Sequence, residues 1–160
     1  MNIGRSDIDW KSLSHNEIDR IIAERIEADN KRIEANGGKK SKRAGYILER
    51  IAEINNLREA DKEAQDGKVK KNRFIRRHNL HPEEDLRALQ LMILTLDFPA
   101  PDYSVMRVKS DAGKVRDIVK QKYFPWRILH HAIMRVIEED VYRNLIYDTS
   151  ACIKIGRAHV

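Results

Sequence analysis

The chain is poor in the residues that build covalent or membrane-embedded frameworks. Its 160 residues include a single cysteine, Cys152, which excludes an internal disulfide framework and suits a reducing cytoplasm, the expected location. Long apolar runs are missing as well. The stretches that occur, such as Leu91 to Leu94, are far short of the roughly 20 residues a membrane-spanning helix needs, so no membrane association is expected. The N-terminus, MNIGRSDIDWKSLSHNE, lacks the apolar centre of a secretory signal. No Gly-rich phosphate loop, internal repeat or low-complexity tract occurs. A self-contained active site of a familiar kind is therefore not among the expectations.

Charge is what the chain has in abundance. With 31 Lys and Arg against 25 Asp and Glu the formal net charge is +6, a weak pointer to an anionic partner by itself. Its distribution is more telling. Residues 68–78, KVKKNRFIRRH, hold six Lys or Arg and no acid, and residues 107–122, RVKSDAGKVRDIVKQK, hold six against two. Residues 39–43, KKSKR, add four more. One such cluster is equally well a solvated face; three along one chain favour nucleic acid as the partner.

Local signals divide the chain into elements. Ser14 and Glu17 form a capping-box pattern before a helix whose Ile18, Ile21, Ile22, Ile26 and Ile33 recur at helical spacing. Gly37 and Gly38 end it. The periodicity predicts a second helix from about Ala44 to Gln65, with Ile47, Leu48, Ile51, Ile54 and Leu57 on one side. The basic stretch up to His78 reads as loop or short strand. Pro82, followed by Glu83, Glu84 and Asp85, opens a third helix with Leu86, Leu89, Ile93 and Leu96 as its buried stripe. Beyond FPAPD the period changes to two. Tyr103 to Lys109 and Lys114 to Val119, joined by SDAG, predict a β-hairpin with Lys114 and Arg116 on one face and Val115 and Val119 on the other. Pro125 then opens a long helix bearing Ile128, Leu129, Ala132, Ile133, Val136, Val141 and Leu145.

Metal and nucleophile chemistry find little support. His130 and His131 are adjacent on a helix and point about 100° apart, and no cysteine pair accompanies His78 and His81. Glu138, Glu139 and Asp140 are consecutive, and neighbours on a helix do not face one another. Cys152 has no histidine nearby in sequence to activate it. The hairpin is different. Lys114 and Arg116 at the end of a two-stranded ribbon can close over a triphosphate or over a strand's phosphates, with the arginine supplying a planar fork of donors. The same two side chains also suit an exposed strand face charged for solubility.

The run YSVMRVKSDAGKVRDIVKQKYFPWRILHHAIMRVIEEDVYRNLIYDTSACIK resembles the N-terminal fingers region of bacterial and phage reverse transcriptases, most closely the diversity-generating-retroelement and group II intron-like branch. The similarity lies in the order of three parts. These are the basic hairpin with GKVRDI, an aromatic-Pro-x-Arg step in YFPWRILHHAIM, and a helix leading to DTSACIK. It extends upstream through ILERIAEINNLREADKEAQDGKVKKN and EEDLRALQLMILTLDFPAPDY, covering roughly residues 45–154. The chain departs from the family at Trp126, where Asp is usual before the arginine, and at Ser150, where an aromatic is usual.

The resemblance implies an α+β fold, mainly helical with one β-hairpin: the fingers portion of a right-hand polymerase, truncated before the palm catalytic motifs. It implies residues 1–43 as a variable N-terminal helical extension with a basic linker, and residues 44–154 as the fingers region. It implies RNA template, DNA primer and dNTP as partners of the parent enzyme. Lys114 and Arg116 become candidates for the incoming triphosphate. Lys109, Arg127 and the cluster Lys70, Lys71, Arg73, Arg76 and Arg77 become candidates for template or primer backbone. The family's magnesium-binding aspartates lie downstream in a strand and a Tyr-x-Asp-Asp turn, neither of which occurs here. Mg2+ is thus expected in the full-length parent and not on this chain, which has no catalytic residue of its own. Residues 155–160, IGRAHV, coincide with one reading frame of a common sequencing adapter and are expected to be an artefact joined to a truncated gene. The alternative reading is a non-enzymatic nucleic-acid-binding module or phage accessory protein.

Overall fold

The structure is a computed structural model in which residues 8–38, 45–67, 72–109 and 113–144 are described. Among these described residues, six α-helices and one antiparallel hairpin follow in the order α1 (His15–Ala35), α2 (Ile47–Ala52), α3 (Ile54–Gln65), α4 (Arg73–His78), α5 (Pro82–Thr95), β1 (Tyr103–Lys109), β2 (Val115–Gln121) and α6 (Ile128–Asn144). The fold is α+β and mainly helical, as expected. No helix among the described residues is long and apolar enough to cross a membrane.

Helix α1 starts where the sequence signal places it. Ser14 accepts from the Glu17 amide at 3.4 Å, and Glu17 accepts from the Ser14 amide at 2.8 Å, which satisfies two donors the helix start would leave unpaired. Ile18 and Ile22 of α1 lie in one core with Ile51, Leu57, Leu89, Ile93, Ile128 and Ala132, so the N-terminal helix shares its apolar interior with α2, α3, α5 and α6. Asp29, buried in α1, accepts from Arg32 at 2.6 Å and from Arg50 of α2 at 3.1 Å.

The single helix expected over residues 44–65 is two. Glu53 is extended, with φ −57° and ψ 129°, and separates α2 from α3. Neither Gly nor Pro marks the break. The carbonyls it frees find side-chain donors instead: Gln90 donates to the Ala52 carbonyl at 3.0 Å, and Asn56 donates to that of Ile51 at 3.1 Å. Residues 73–78, read from sequence as loop or strand, form α4, capped by Asn72, which accepts from the Phe74 amide at 2.9 Å. At the end of α5, Leu96 adopts φ 56° and is 63% exposed, so it leaves the buried stripe assigned to it and serves as a left-handed cap.

The hairpin forms as anticipated, with Val108 opposite Arg116, Met106 opposite Ile118, and Lys109 opposite Val115. After β2, the chain passes through a π-type turn, Tyr123–Arg127, containing a cis Phe124–Pro125 bond. Regular helix starts at Ile128 rather than at Pro125. Phe124 is extended, with φ −97° and ψ 137°, as a residue before proline tends to be. Within α6, Ile128 and Ala132 are buried and Leu129, Ile133 and Val136 pack against them, whereas Val141, expected on the same stripe, is exposed. Leu145 and Cys152 lie outside the described residues, as do residues 155–160.

Candidate nucleic-acid interface

Helix α4 has two unlike sides. At about 100° per residue, Ile75 and His78 point one way and Arg73, Arg76 and Arg77 the other. Ile75 and His78 are buried and the three arginines are exposed. The buried side is held by a polar cluster. His78 Nδ1 donates to Asp85 Oδ2 of α5 at 2.6 Å. Its Nε2 lies 3.2 Å from Asp61 Oδ1 of α3, close enough for charge attraction but not aligned as a hydrogen bond. Tyr123 of the turn donates its hydroxyl to Asp61, both to the carboxylate and, at 3.2 Å, to the carbonyl. Gln65 donates to Asp61 at 2.9 Å. The His78 ring is also stacked with Phe124, centroids 6.3 Å apart and planes 15° apart.

Charge follows from this geometry. Burial opposes protonation of His78, yet the two flanking carboxylates outweigh it and raise the imidazole above its ordinary range. Burial likewise opposes ionisation of Asp61, and the His78 imidazole beside it, with the bonds from Tyr123 and Gln65, holds it below the usual carboxylate range. Burial, and then the Asp61 carboxylate, push the Tyr123 hydroxyl upward. The cluster is therefore a buried imidazole between two carboxylates, a setting that favours its protonated form. It fixes α4 against α3, α5 and the turn that carries Arg127.

The arginines sort into two populations. In the helical body they are neutralised at short range: Arg25 by Glu49 at 2.5 Å, Arg50 by Asp29 at 3.1 Å, Arg58 by Glu83 at 2.6 Å, Arg87 by Asp19 at 2.7 Å and Arg135 by Glu63. Arg73, Arg76, Arg77, Arg116 and Arg127 have no carboxylate partner among the described residues, and all five are exposed. Arg127 ends the turn, near enough to Tyr123 and His131 for its charge to be felt at both.

The hairpin contributes cations on both of its faces. Arg116 and Lys120 share one with Met106, Val108 and Ile118; Lys109 lies on the other with Val105, Val115 and Val119. There Arg107 donates to Asp117 at 2.9 Å across the strand pair. Lys109 and Arg116 therefore face opposite ways. Lys114 follows Gly113, whose φ of 72° suits the turn, and immediately precedes β2. Lys70 and Lys71 lie outside the described residues. Among the described residues, no group of three or more His, Cys, Asp or Glu side chains is placed to hold a metal ion, so none is assigned to magnesium.

No known protein-family model, curated protein or solved structure matches the chain.

The sequence reading identified the basic residues but missed the cluster that positions them. A signal was present. In α3, Ile54, Leu57, Asp61 and Ala64 follow helical spacing, which puts an acid on the buried stripe. His78 stands three positions after the buried Ile75, which does the same for a histidine. An acid and a histidine, each on an apolar stripe, are candidates to meet.

Proposed function

We propose that this chain is the fingers portion of a bacterial or phage-type RNA-directed DNA polymerase, binding nucleic-acid and nucleotide phosphates. The observation that carries the nucleic-acid part is the split between arginines. Those of the body are consumed by carboxylates, as is Arg107 of the hairpin by Asp117, while Arg73, Arg76 and Arg77 of α4, Arg127 of the turn and Arg116 of the hairpin are not. An arginine left without an internal anion is available to a phosphate, for which its fork of donors is well shaped. The polymerase part is supported by the order of the basic hairpin, the aromatic-Pro-x-Arg step and the helix after it. On this reading Arg116 and Lys114 meet the triphosphate of an incoming dNTP. Arg127, Lys109 and the α4 arginines meet RNA template or DNA primer, in the cytoplasm. The parent's Mg2+ chemistry belongs to aspartates this chain does not carry.

The first test is binding of the purified chain to RNA and DNA over a range of salt. Each phosphate contact adds about 0.7 to 0.9 to the slope of log affinity against log salt. A salt-independent affinity, or none at low salt, removes the nucleic-acid reading. The second test separates a polymerase from a plain nucleic-acid-binding module. In a clone extending past codon 154, a downstream Tyr-x-Asp-Asp run supports the polymerase. Arg116→Ala in that longer protein is then expected to slow single-nucleotide incorporation about a hundredfold, the usual loss for one preorganised donor to a developing charge. Incorporation at the parent's rate by a folded variant would make the hairpin structural only.

A further inference from the structure

Helix α4 carries an exposed aromatic ring among its arginines. Phe74 is 39% exposed, although its neighbour Ile75 is fully buried. Of the two apolar side chains of α4, the helical body buries the isoleucine. The ring stands on the flank between the outward arginines and the buried side, three residues before Arg77 on the adjoining turn. The Arg73 guanidinium lies over it, 4.9 Å from its centroid, so a planar cation and a planar ring are already in contact. Arg76 and Arg77 have no carboxylate partner among the described residues. The Asn72 cap and the His78 clamp hold the backbone beneath all four.

We propose that Phe74, with Arg73, Arg76 and Arg77, is a stacking platform for an unpaired base of single-stranded nucleic acid; this rests on the nucleic-acid reading above. The chemistry selects the strand form. A duplex keeps its base faces stacked inside and offers only phosphates, which the arginines alone would satisfy. A single strand offers phosphates and a free π face together, and an aromatic ring beside arginines matches both. Phe74 then supplies the part of the affinity that depends on bases, and the arginines the part that depends on charge.

The test uses the full chain and two labelled strands of equal length, an oligothymidine and its abasic counterpart, followed by fluorescence anisotropy at low salt. The wild type should bind the base-bearing strand more tightly. Phe74→Ala should weaken that strand about 5- to 150-fold, the range for loss of one stacked base, and leave the abasic strand nearly unchanged. Phe74→Trp should keep the preference. The double variant Arg76→Gln, Arg77→Gln should weaken both strands alike. Because the ring is exposed, circular dichroism should show unaltered helix content in every variant. If Phe74→Ala binds the oligothymidine as the wild type does, or the wild type does not distinguish the two strands, the platform is wrong while the electrostatic reading stands. If the wild type binds neither strand, the nucleic-acid reading falls and the platform with it. Tighter capture of an acidic peptide, with the same dependence on Phe74, would overturn the platform in favour of a protein partner.

Discussion

The helical body and the hairpin are built on opposite principles. In the body, apolar residues are hidden and charges are cancelled: Leu57, Ile75 and Leu89 are fully buried, and even the buried Asp29 and His78 have counter-ions. In the hairpin, Val105, Met106, Val115, Ile118 and Val119 are all exposed, on both faces of the ribbon. A lone two-stranded ribbon is marginal in water, because backbone pairing alone does not offset the entropy of ordering it. The body is thus shaped by what it must bury, and the hairpin by what it presents. Helix α4 belongs to both, since one side closes the core and the other carries arginines with no carboxylate partner among the described residues.

This contrast can be broken, most severely at His78. His78→Leu keeps the volume but leaves Asp61 and Asp85 without their imidazole partner, and should cost about 3–5 kcal/mol in urea unfolding, the range for a broken buried pair. Ile118→Ala in the hairpin should change stability by less than about 0.5 kcal/mol, as an exposed site does. A comparable loss at Ile118 would show that the hairpin is packed and the contrast false.

The two kinds of arginine sharpen the comparison. Arg87→Gln removes the donor to Asp19 at 2.7 Å and should cost about 2 kcal/mol of stability, with nucleic-acid affinity unchanged. Arg76→Gln with Arg77→Gln should do the reverse. Unfolding should shift by less than about 0.5 kcal/mol, and the salt slope for a single strand should fall by about 1.4. Equal effects of the two substitutions on affinity would erase the distinction between committed and uncommitted charge.

The smallest effect is in pH dependence. His78 has its folded value raised above the ordinary 6.5. Its contribution to stability is therefore complete below that value and is lost as pH rises through the raised one. Asp61 is depressed below 3.8, so its contribution is complete above 3.8 and lost as pH falls through the depressed value. Together they stabilise α4 most between those limits. His131 opposes this in part. Burial, then the Arg127 charge, lower it, so its contribution is lost as pH falls below 6.5 through the lowered value. Histidine NMR titration, with the His78 resonance assigned by its loss in His78→Gln, should find His78 titrating above 6.5 in the parent and shifting downward in Asp85→Asn. An unshifted His78 would mean that the carboxylates do not hold α4.

The sequence by itself determined what depends on near neighbours. The Ser14–Glu17 box, Pro82 with its acidic first turn, and the period of two across Tyr103 to Val119 are signals spanning a few residues, and each element formed. It also determined where the cations are, since composition is local by nature. Tertiary structure alone decided the break at Glu53, the helical state of residues 73–78 and which arginines kept their charge uncancelled. The reason is range. Asn56 at the break also reaches the Ala132 carbonyl, 76 residues away, and Asp61 meets Tyr123 across 62. No local propensity encodes partners so distant, and burial beside them outweighs the weak preferences of a short segment.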